Sequence, residues 1–133
     1  MSEEKKIKVV LLEPFKLARA VEIDASLESM QKIVGGLIEP FYPFEEEVCI
    51  VCNDEGKING MPLNRAVYGE DKKMIDIIAG PAFICDCRGE SFDSLSDEQI
   101  ARYKKQFRYP EIFLRDGDEI KAFFVKPDRE NER

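Results

Sequence analysis

Residues 6–36 read KIKVVLLEPFKLARAVEIDASLESMQKIVGG, and the fold class turns on how the apolar period changes within them. Ile7, Val9 and Leu11 alternate with Lys8, Val10 and Leu12. The Glu13-Pro14 pair interrupts, and Leu17 to Ile23 resumes an extended pattern, so two strands joined by a short connection are expected. Ser26 then offers an N-cap. From Leu27 the apolar positions Leu27, Met30, Ile33 and Val34 fall on one helical face until Gly35-Gly36 stops it. The stretch predicts a short helix packed on the sheet that the two strands begin.

Outward from this stretch the same reading continues. Leu37 to Phe44 is aromatic but broken by Pro40 and Pro43, which confines it to a sheet edge or an irregular ribbon. Val48 to Cys52 is nearly all apolar, as in a strand covered on both faces. Asn53 to Gly56 and Asn59-Gly60 are turn signals, and Pro62-Leu63-Asn64-Arg65 continues a polar connection. Met74 to Ile78 and Ala82 to Cys87 are strand-like runs separated at Gly80-Pro81. Ser96 and Gln99 form a capping box with Leu95 and Ile100 at the staple positions, predicting a helix from about Asp97 to Phe107. Its inner face carries Ile100, Tyr103 and Phe107, and Arg102, Lys104 and Lys105 point away. Ile112 to Leu114 and Ile120 to Val125 flank Asp116-Gly117-Asp118 as a hairpin. The expected architecture is α+β, with a mixed, mostly antiparallel sheet and two main helices. Residues 1–133 read as one domain with an ordered core at about 6–126 and a polar, frayed tail at 127–133.

Composition narrows the function. The chain has 133 residues, net charge -7, no histidine and no tryptophan. Without His, Ser-His and Cys-His nucleophile arrangements and the commonest metal ligand are missing. The acidic balance disfavours direct nucleic-acid binding, which draws its affinity from clustered Lys and Arg. The charged start, Met1 to Lys8, and the short apolar run Val9 to Leu12 fit neither a signal peptide nor a membrane span, so a reducing bacterial or infected-host cytoplasm is expected. Cys49 and Cys52 have the spacing of half a zinc ribbon, but Cys85 and Cys87 have the wrong spacing for the other half. A strand would point Cys49 and Cys52 to opposite faces. Core thiols are expected, with no metal, no cofactor and no catalytic residue. Glu45 to Glu47 and the Asp116 to Glu119 turn read as solvated charges.

The candidate ligand-binding residues are Arg65, Asn64, Asn59, Lys57 and Tyr42. Polar groups between turn signals suit a binding loop. Arg65 and Lys57 would bond a phosphate, Asn59 and Asn64 would read a base or sugar, and Tyr42 would present an aromatic face.

The segments IVGGLIEPFYPF, CNDEGKINGMPLNRAV, DIIAGPAFI and LSDEQIARYKKQF resemble, in fixed order over residues 7–125, an uncharacterised family of small proteins from Gram-positive bacteria, their phages and conjugative elements. The resemblance implies an accessory protein of mobile elements that counters host defence by binding. The expected role is a non-enzymatic, homo-oligomeric protein that sequesters a small anionic ligand, such as a cyclic or ADP-ribose-type signalling nucleotide. The alternative is an acidic, DNA-mimic-like inhibitor of a host nucleic-acid enzyme, with Glu45 to Glu47 and Asp116 to Glu119 as contacts.

Overall fold

The computed structural model describes residues 5–126; the polar tail expected at 127–133 lies outside the described residues. In chain order the elements are β1 (Lys6–Leu12), β2 (Arg19–Asp24), α1 (Leu27–Val34), β3 (Ile38–Phe41), β4 (Val48–Asn53), β5 (Leu63–Tyr68), β6 (Met74–Ala79), β7 (Ala82–Asp86), α2 (Asp97–Gln106), β8 (Glu111–Asp116) and β9 (Glu119–Phe124). The expected α+β architecture is observed. A five-stranded sheet runs in the order β2-β1-β7-β4-β3, and β5-β6 and β8-β9 form two-stranded sheets of their own. Every strand pair is antiparallel.

Period-two alternation explains why the central strands are apolar throughout. Val10, Leu12, Val48, Ile50, Ala82 and Ile84 face one side, where they meet Tyr103 and Phe107 at the end of α2 and Val67 and Ile78 of the β5-β6 ribbon. Ile7, Val9, Cys49, Val51, Phe83 and Cys85 face the other, against Met30 and Val34 of α1. β4 and β7 are therefore covered on both faces, and β1 is so from Val9 onward, with Lys6 and Lys8 exposed. Each fully buried Leu, Ile or Val of this kind contributes roughly 1.5–3 kcal/mol through area removed from water.

The helix ends follow from local chemistry. Ser26 accepts a hydrogen bond from the Ser29 N–H, and Gly35 closes α1 in the left-handed conformation at φ +80° with its N–H on Gln31 O. Asn53, at the end of β4, donates from Nδ2 to Val34 O at 3.1 Å and satisfies another terminal carbonyl. The Ser96–Gln99 capping box forms as read. Leu27 departs from the expected apolar face and is exposed at the first turn of α1.

Two further differences matter. The Gly80-Pro81 break separates two sheets, with β6 in the ribbon and β7 at the centre of the main sheet. Gly80 has φ +80°, and a Cβ there would come within 2.6 Å of Met61 Sδ, so the corner needs glycine. The polar connection expected through Arg65 instead becomes β5, paired with β6 across a register shift between Leu63 and Arg65. Among the described residues no helix is long and apolar enough to cross a membrane.

Candidate functional site

The structure does not bring the five predicted ligand residues to one place. Tyr42 is exposed just beyond β3, Asn59 is exposed in the turn after β4, and Lys57 pairs with Asp76 of β6. Asn64 and Arg65 are each 0% exposed. Their polarity serves the interior, which corrects the expectation that they face a ligand.

Their partners show how a cation is kept inside. Asn64 donates from Nδ2 to Leu12 O and to Gly80 O, each at 2.9 Å, while its Oδ1 accepts from Arg65 Nη1 at 2.8 Å. Arg65 Nε donates to Phe107 O at 3.0 Å, Nη1 to Glu13 O at 3.3 Å, and Nη2 to Lys16 O at 2.7 Å. Burial lowers the guanidinium to about 10, opposed by the nearby Glu111 carboxylate, so it stays charged at neutral pH. Burial in turn raises Glu111, which accepts the Ala66 N–H at 2.9 Å. Carbonyls from the β1-β2 connection and from the end of α2 thus converge on one planar fork, a geometry that Lys cannot reproduce.

This clamp shapes the surface above it. The β1-β2 connection is further tied to the helix end by the Ala18 N–H donating to Arg108 O at 2.9 Å. Between the two lies a groove of about 600 Å³ lined by Leu17, Ala18, Ile100 and Ala101, with Lys104, Lys105 and Arg108 as cations and Asp97 as the single carboxylate. All three cations are exposed. The sequence reading placed Lys104 and Lys105 on the outer side of α2. It missed that Leu17 and Ala18, more than eighty positions earlier, build the facing wall.

Elsewhere the charge is opposite. A cavity of about 300 Å³ between β3, the turn after β4 and β6 is rimmed by Glu39, Asp54, Glu55 and Asp76, with Lys57 as its one cation. An anion is repelled there. On the far side of α2, Glu46 accepts hydrogen bonds from Arg102, Tyr103 and, at 3.0 Å, Gln99. Arg102 is the main reason that its carboxyl is held at about 2. Glu46 is therefore a tether between the β3-β4 connection and α2, which corrects its reading as a solvated turn charge.

The four cysteines are free thiols. Cys49 and Cys85 stand opposite each other on β4 and β7 with their sulfurs 3.9 Å apart, and Cys52 faces the other side of the sheet as alternation requires.

Fold and groove together define a small α+β protein with three exposed cations gathered at a groove beside its second helix. The chain belongs to the DUF3846 family, described as a domain of unknown function, which spans residues 7–108. No curated protein and no solved structure matches it.

Proposed function

We propose that the chain is a non-enzymatic binding protein that captures a small anionic ligand of the signalling-nucleotide class in the groove between the β1-β2 connection and α2. The observation that carries this reading is the groove's lining, three cations beside an apolar wall with one carboxylate. Phosphate oxygens would accept charge-assisted hydrogen bonds from Lys104, Lys105 and Arg108, and a flat base would cover Leu17 and Ile100. A volume of about 600 Å³ lies within the range of small-ligand sites.

Capture rather than turnover is favoured by the spacing of the charged groups. Asp97 and Lys104 are two helical turns apart, on the order of 10 Å, too far to act together on one bond. In the mobile-element setting that the resemblance implies, such capture would deplete a host defence nucleotide. Native mass spectrometry of the protein mixed with cyclic, linear and ADP-ribose-type nucleotides tests the reading. A stoichiometric nucleotide recovered chemically unaltered is expected. The absence of bound mass with every nucleotide would overturn it.

A second reading draws on the acidic cavity. Glu39, Asp54, Glu55 and Asp76 on a chain of net charge -7 suit contact with a basic protein surface, as in an inhibitor of a nucleic-acid enzyme. Its signature would be a partner retained at low salt and released at high salt.

A further inference from the structure

The β8-β9 hairpin leaves most of its apolar surface uncovered. Ile112, Leu114, Ile120, Phe123, Phe124 and Val125 are all exposed, Leu114 to 55% and Phe124 to 66%. A two-stranded hairpin is marginal in water by itself, and six large apolar side chains on one hairpin exceed the scattered exposure of an ordinary surface. Its hold on the rest of the chain runs through β8, which lies beside β5 and sends the Glu111 carboxylate to the Ala66 N–H. The family match ends at Arg108, so the whole hairpin lies beyond the matched span.

The register shows which backbone groups are unspent. Val125 N–H donates to Pro110 O at 2.8 Å, and the ladder continues through Ile112↔Phe123, Leu114↔Lys121 and Asp116↔Glu119. In an antiparallel pair the hydrogen-bonded positions alternate, so Glu119, Lys121 and Phe123 bond inward to β8. Ile120, Ala122 and Phe124 then point their N–H and C=O groups to the free edge of β9, and among the described residues no third strand joins this sheet.

The chemistry of the hairpin narrows what covers that edge. Residues 127–133 read PDRENER and offer no apolar side chain beyond the proline. The hairpin itself carries Glu111, Asp116, Asp118 and Glu119 against Arg115, Lys121 and Lys126, in a chain of net charge -7, so an anionic lipid surface does not attract it. We propose that the occupant is a second copy of the chain, with β9 pairing antiparallel to the partner's β9 about a two-fold axis at Ala122. Ile120 then lies opposite the partner's Phe124 on each side of the axis, and Asp118 meets the partner's Lys126 at both ends.

Neighbouring registers are poorer. Centring on Lys121 sets two lysines face to face. Centring on Phe123 places Ile120 against Lys126 and loses the charge pairing, and centring on Ile120 runs the strand into the partner's turn. The chosen register extends the hairpin into a four-stranded sheet, β8-β9-β9-β8, and leaves no further free edge on β9. On the face that Ile120, Ala122 and Phe124 share, the pairing sets two Ile120–Phe124 contacts beside the central alanines, and the edge backbone bonds add to them, while Ile112, Leu114 and Phe123 lie on the opposite face.

Sedimentation velocity of the full chain over a wide concentration range, with two variants, tests this. Ala122→Pro removes an outward N–H and leaves the ladder to β8 untouched. Ile120→Lys places a charge in the apolar pairing. The wild type is expected as a dimer and both variants as monomers with unchanged circular dichroism; if Ala122→Pro fails to fold, Ile120→Lys decides. A monomeric wild type, a dimer that survives both changes, or assembly beyond a dimer would overturn the proposal. The groove is untouched by these variants, so nucleotide binding by the monomer separates this inference from the ligand reading.

Discussion

Two cationic regions lie within a few residues of the same backbone carbonyls and do opposite work. Arg65 is enclosed, and its donors go to Glu13 O, Lys16 O, Phe107 O and Asn64 Oδ1. Lys104, Lys105 and Arg108, on the other side of the same chain segments, face a groove open to solvent. Charge alone does not mark a binding residue. A guanidinium surrounded by carbonyls is a structural part, because leaving those acceptors unpaired in the interior costs more than the cation gains from any passing ligand. Lys104 and Lys105 instead stand exposed beside an apolar wall, with their charge turned to solvent.

The largest effect that this contrast predicts is on Arg65→Ala. It strips the donors from two loop carbonyls and one helix-end carbonyl and opens a cavity, so the loss should be about 3 kcal/mol in chemical denaturation. Arg65→Lys should recover less than half of it, since one ammonium cannot span the fork. A change below about 1 kcal/mol for Arg65→Ala would break the contrast, because the residue would then behave as a surface cation.

Asn64→Ala comes next, at about 2 kcal/mol by the same measurement, because Leu12 O and Gly80 O lose their donor together. Glu46→Gln sharpens the comparison on the other side of α2, where the ion pair is half exposed. At neutral pH it should cost no more than about 1 kcal/mol. The folded-state carboxyl is depressed from 4.5 to about 2, so its contribution is complete above pH 4.5 and is lost as pH falls toward 2. Thermal melts of Glu46→Gln should therefore approach the wild type across that window. The smallest effect is expected for Lys57→Ala, within about 0.5 kcal/mol, since its pairing with Asp76 is exposed.

The order of elements was largely legible because its signals are local. The Ser26 and Ser96 caps, the Gly35 stop and the alternation in β1, β4 and β7 each need only neighbouring residues. β5 was not legible: Leu63 to Tyr68 carries Asn64 and Arg65 in its first half, and only the carbonyls of distant segments explain why they are buried. The same limit hid the groove. Its cations were visible on α2, but the wall at Leu17 and Ala18 reaches them through the fold, and the clamp that holds both walls is Arg65 itself. The reading thus picked a residue that supports the groove and assigned it to the ligand. Glu46 shows the converse, a charge within an acidic run that three side chains of α2 single out.

The most direct test of the groove's role is a calorimetric titration of the nucleotide found by mass spectrometry into three proteins: wild type, Lys104→Glu/Lys105→Glu and Lys57→Glu. Binding by the wild type and by Lys57→Glu, with at least a tenfold loss in the groove variant at unchanged thermal stability, is the predicted result. Undiminished binding by Lys104→Glu/Lys105→Glu, or a loss confined to Lys57→Glu, would contradict the account and move the site to the acidic cavity.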